Sequence, residues 1–138
     1  MSAYSKDPTT SNNQIQMLVE DMQKEFNKGS YVICAADFNK QIVENPGAYY
    51  PAAKIKDTNP FPLEYLQGTN ISLINGFNPV SPIGTCRYAG APLSDATTVS
   101  NIDGFLVSSN IKVIESHVID TGFAYSDHNP VYMTFRLL

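Results

Sequence analysis

Basic residues are scarce in this chain: nine lysines and arginines stand against thirteen aspartates and glutamates, for a net charge of −4 over 138 residues. That balance argues against a basic groove for a nucleic-acid backbone in this segment. Cysteine is sparser still. Cys34 and Cys86 do not make a disulfide framework, and Cys34, within an apolar strand pattern, reads as a small buried hydrophobe. No apolar window reaches the roughly eighteen residues of a membrane-spanning helix. No basic, then apolar, leader opens the chain. Compartment stays open, because a targeting segment lying upstream would leave no trace here. What remains, 43% of it hydrophobic, suits one domain with a core of its own.

Along the chain, residues 1–10 are polar and contain Pro8, so they read as an irregular lead-in. A helix is predicted next, with Thr10 or Ser11 as N-cap; Ile15, Leu18, Val19, Met22 and Phe26 form its core-facing stripe, and Gly29 stops it. A strand over 31–36 follows. Residues 40–62 carry four prolines and a glycine among tyrosines and lysines, the pattern of a long surface loop. Tyr49, Tyr50, Lys54 and Lys56 within it read as packing or solvated residues, with substrate contact as the alternative. A short helix at 63–67, a strand or helical turn at 71–74, and strands at 85–88, 99–107, 112–119 and 131–138 complete the reading.

Three short stretches carry chemistry. The first is YVICAADFN at 31–39, a β-leaning run ending in Asp37 and Asn39. Residues two apart on an extended chain share a face, so a carboxylate and an amide would stand side by side. The second, NIDGFLV at 101–107, places Asp103 in an apolar strand pattern, where an ionised carboxylate is costly without a partner. The third, SDHNP at 126–130, sets Asp127 and His128 before a strand alternating Val131, Met133, Phe135 and Leu137 with Tyr132, Thr134 and Arg136. A histidine so placed is a natural partner for Asp103. Bland readings stand beside these: a loop cap for Asp37 and Asn39, a turn for Asp103 with Gly104, a packed neutral imidazole for His128. His117 carries no motif and reads as structural.

In this order the three motifs resemble the C-terminal half of the endonuclease/exonuclease/phosphatase superfamily, the DNase I-like phosphohydrolases. The resemblance runs from the helix before Tyr31 to the last strand, with Ala35 and Ala36 where glycines usually precede DFN. It implies an α/β (α+β) fold: half of a four-layer sandwich, a mostly antiparallel mixed sheet with helices on one face. Residues 1–138 would then be one partial domain. It implies Mg²⁺ or Mn²⁺ as cofactor, with Asp127 as a ligand. Asp37 would orient or deprotonate the attacking water, and Asn39 would hold a phosphate oxygen or position Asp37. His128 would donate to the phosphate, and Asp103 would fix its tautomer. Arg87 would, on the same reading, offer a planar fork for phosphate, against the alternative of a surface arginine.

The family's N-terminal half supplies a metal-binding Glu, an Asn and an early His, none of which is found here; Met1 to Tyr4 look like residues just past such a histidine. The expectation is a phosphodiesterase, nuclease or phosphatase portion with little turnover alone, its open sheet face pairing with a second copy of the chain. A non-catalytic interaction module that keeps the fold is the alternative. The substrate, whether nucleic acid, lipid headgroup or small phosphate, is not selected by the fold.

Overall fold

Helix formation starts at Asp7, whose carboxylate accepts the N–H groups of Thr9 and Thr10 at 3.1 and 3.2 Å. The structure, a computed structural model, describes residues 7–138. Helix α1 spans Pro8–Asn27, so it begins earlier than the sequence suggests. Proline is no obstacle at a first helical position, because its missing N–H would be unpaired there anyway. Of the lead-in assigned to 1–10, residues 1–6 lie outside the described residues and residues 8–10 are helical. At the other end Gly29 takes a left-handed conformation, φ 90°, and donates to the Phe26 carbonyl at 2.8 Å.

The helix lies against a three-stranded antiparallel sheet. Its strands are β1 (Ile33–Asp37), β5 (Asp103–Ser108) and β2 (Ile71–Ile74), with β5 in the middle. Ile15, Val19 and Met22 from the helix meet Leu106, Ile71, Phe38, Ile42 and Phe61 in one buried cluster. Cys34, Ala36 and Leu73 pack on it from the sheet. Gly104 is required in the central strand: a Cβ there would stand 2.7 Å from the Ile74 carbonyl oxygen, so only glycine lets β2 approach. The antiparallel register pairs Ala36 with Gly104 and Asp37 with Asp103.

Two further pairs complete an α+β fold: β3 (Cys86–Arg87) with β4 (Val99–Ser100), and the hairpin of β6 (Ile111–Val118) with β7 (Val131–Leu137). The strand expected over 99–107 is thus two strands, broken at Asn101 and Ile102. Those residues turn instead to the loop, Asn101 taking the Gln41 side chain and Ile42 N–H. In the hairpin the ladder slips between Val113 and Glu115, leaving Ile114 exposed. The last strand is less covered than its alternation implies: Phe135 and Leu137 are 42% and 50% exposed.

Residues 40–62 form no strand or α-helix, only two short 3-10 turns at Pro46–Ala48 and Ala52–Lys54. The segment is nonetheless tied down. Gln41 exchanges backbone hydrogen bonds with Asn59 and Phe61, and Lys56 donates to Val99. Tyr49 stacks edge-on against Phe77, ring centres 4.9 Å apart, and the Tyr50 hydroxyl donates to Asn101 at 3.1 Å. Both tyrosines therefore take the packing role. Among the described residues, no helix is long and apolar enough to cross a membrane.

Candidate functional site

Strand register brings the first two acids together. Asp37 and Asp103 face each other across β1 and β5, and residues directly opposite share one side of a sheet. Two like charges so placed repel, and a third group relieves them. His128 arrives from the segment ahead of β7, which bridges to Cys86 of β3. Its Nδ1 lies 2.9 and 3.1 Å from the two Asp103 carboxylate oxygens. The segment is locked locally as well, the His128 N–H donating to the Ser126 hydroxyl at 3.1 Å.

Asn39 reaches Asp37 by a route that strand alternation does not foresee. It lies beyond the end of β1 in a left-handed conformation, φ 49°, which asparagine tolerates better than most residues. From there its backbone N–H donates to Asp37 Oδ1 at 2.8 Å and its side-chain amide to Oδ2 at 3.2 Å. Both carboxylate oxygens are held, and the carboxylate cannot swing. Burial pushes the Asp37 carboxyl above its ordinary pKa; the Asn39 amide opposes that and the Asp103 charge adds to it.

The Asp103 hydrogen bond, with smaller help from Cys86, raises the His128 imidazole from 6.5 to about 10. The imidazolium is therefore the neutral-pH form. Between pH 6.5 and about 10 the folded chain holds a proton that the unfolded chain has released, so stability falls as pH rises through that window. Below 6.5 the pair's contribution is complete. Urea midpoints measured across this window should decline in the wild type and flatten in Asp103→Asn; parallel curves for the two proteins would show that the pair contributes nothing.

Asp37, Asp103 and His128 line an open cavity of about 520 Å³ with Ala35, Phe105 and Val131. Their ligand atoms all lie within 4.8 Å of one another. That spacing is close enough for the group to hold a metal ion. Asp103 meets the imidazole with both oxygens and Asp37 meets Asn39 with both, and each carboxylate oxygen keeps a lone pair beyond those bonds. Asp127, the ligand expected from the sequence, is not in the group. With His128 turned to Asp103, the Asp127 carboxylate accepts the Ser126 hydroxyl at 3.5 Å. Arg87 does not line the cavity either; its guanidinium donates to the Tyr88 carbonyl at 3.1 Å.

Lys56 adds a cation that sequence reading left in the loop. Its charge reaches Asp37, and its ammonium lies 3.9 Å from the Cys86 sulfur. No local pattern marks it; only the return of the loop to β4 brings it in. Cys34 and Cys86 are both free thiols.

The fold class and the cluster thus stand on the geometry itself, an α+β chain with an Asp–Asp–His cluster at one end of the β1–β5 pair. No family model and no curated protein matches the sequence. Among solved structures, the chain is similar to a mannosyl-6-phosphatase from Bacteroides thetaiotaomicron, with a TM-score of 0.56 at 16% identity. The likeness covers 99% of this chain and 49% of that one, so the chain spans about half the length of that protein. At this identity the shared feature is the fold.

Proposed function

We propose that the chain is the C-terminal portion of a divalent-metal-dependent phosphoester hydrolase of the endonuclease/exonuclease/phosphatase superfamily, built on the four-layer sandwich of that family. The observation that carries the reading is the Asp103–His128 ion pair set beside the held Asp37 carboxylate over one cavity. Asp37, Asp103 and His128, one from each of three separate motifs, line that cavity together. The fold is shared with a protein named as a phosphatase, which agrees.

In this reading Asp37 orients the attacking water and takes its proton, while Asn39 holds the carboxylate at a fixed angle. His128 donates a hydrogen bond from its ring to a phosphoryl oxygen, and Asp103 keeps the ring charged and aimed. Lys56 adds positive charge near the same oxygens. A bound cation, held by Asp37, would neutralise the developing charge.

Few anionic ligands come from these 138 residues, so turnover by this polypeptide alone is expected to be low. Mn²⁺ should still broaden the NMR signals of residues around Asp37 and His128 at millimolar concentration, and inorganic phosphate should shift them. Hydrolysis of a phosphomonoester or phosphodiester, where seen, should vanish with EDTA and in Asp37→Asn. Signals unmoved by both ions, or hydrolysis indifferent to EDTA, would end the proposal.

A further inference from the structure

Neither Thr85 nor Asn129 takes part in the chemistry above, yet they are 1% and 2% exposed. Thr85 stands immediately before β3. Its hydroxyl oxygen accepts the backbone N–H of Ile102 at 2.9 Å and of Asp103 at 3.2 Å. Its carbonyl accepts the N–H of Asn129 at 2.8 Å, and its own N–H donates to Ser100 at 3.0 Å. One residue thereby holds the backbone on both sides of the ion pair, at Asp103 itself and at the residue next to His128. Asn129 completes the clamp. Its amide donates to the Gly84 carbonyl at 3.0 Å, and its carbonyl oxygen accepts from the N–H and hydroxyl of Thr121 at 3.1 and 2.8 Å.

We infer that Thr85 is a positioning residue for the Asp103–His128 pair, its hydroxyl fixing the strand of the carboxylate and its carbonyl the segment ahead of β7 that carries the imidazole. The consequence for turnover rests on the hydrolase reading. The physical basis is general: buried N–H groups require an acceptor, and a β-branched side chain holds its oxygen in few rotamers. Valine has the shape of threonine without the oxygen, so it would leave the Ile102 and Asp103 amides unanswered and free Asp103 to shift against the ring.

Proton NMR on the full chain tests this. In the wild type, the Nδ1–H of His128 shared with Asp103 should resonate far downfield of the amides, and the Asp103 amide should exchange slowly. Thr85→Val should lose that resonance and speed exchange at Ile102 and Asp103 about tenfold or more, with native dispersion elsewhere. Thr85→Ser, which keeps the oxygen, should retain the resonance. A valine variant that keeps the resonance overturns the inference, and so does a folded serine variant that loses it. Fast exchange of the Asp103 amide in the wild type overturns it too, whether or not the valine variant folds. Absence of the downfield proton from the wild type removes the ion pair itself, and with it both this inference and the hydrolase reading.

Discussion

On the proposed hydrolase reading, replacing His128 by asparagine is expected to lower kcat/KM for phosphoester hydrolysis about 10²–10⁴-fold, the usual range for loss of a positioned proton donor. Asparagine is close in size and keeps an N–H, so packing against Cys86 changes little. What disappears is the charge that Asp103 sustains: the imidazole holds its proton up to about pH 10, whereas an amide carries none. Asp103→Asn should act through the same group, leaving a ring that releases its proton nearer its ordinary value. The double variant should therefore lose little more than the worse single one, because the two residues act as a unit. Losses below tenfold for His128→Asn, or strictly additive losses for the pair, would contradict the assigned roles.

Leu106→Ala is expected to lower folding stability by about 2–5 kcal/mol, the range for a buried leucine whose cavity cannot collapse. Leu106 is completely buried in the central strand, paired with Cys34 on one side and Leu73 on the other, over the face where Ile15 and Val19 pack. Hydrogen-bonded neighbours on both sides prevent the sheet from closing the gap. Phe135→Ala, at a position 42% exposed, serves as a control and should cost much less, although phenylalanine is the larger side chain. Urea unfolding of both variants checks the order. A Leu106 variant less damaging than the Phe135 variant would mean that the core lies elsewhere.

The residues of the site were legible because their chemistry is local. Asp103 in an apolar strand pattern requires a partner wherever it lies, and His128 ahead of a strand is an evident one; the two meet at 2.9 Å. Asp37 and Asn39 were legible as a pair, though for a reason that proved incomplete, since a left-handed turn rather than strand alternation joins them. Asp127 and Arg87 illustrate the opposite case. Residue type suggested a ligand and a phosphate fork, but direction is set by neighbours that no local pattern reveals. The helix start was missed because Pro8 was read as a breaker, although Asp7 and Pro8 together form a good N-terminus.

By itself the sequence determined the helix stripe, the order of most strands, the acid–imidazole chemistry and the α+β class, all of which follow from periodicity and from the cost of burying charge. Tertiary structure alone decided the pairing of Asp37 with Asp103, the return of Lys56 to Cys86 and Asp37, and the burial of Thr85 and Asn129 beside the site. These depend on strand register and loop closure, which join residues as distant as Asp37 and Asp103, 66 positions apart. No short-range pattern records such distances, because a hydrogen bond between remote segments leaves no mark on the residues beside either one.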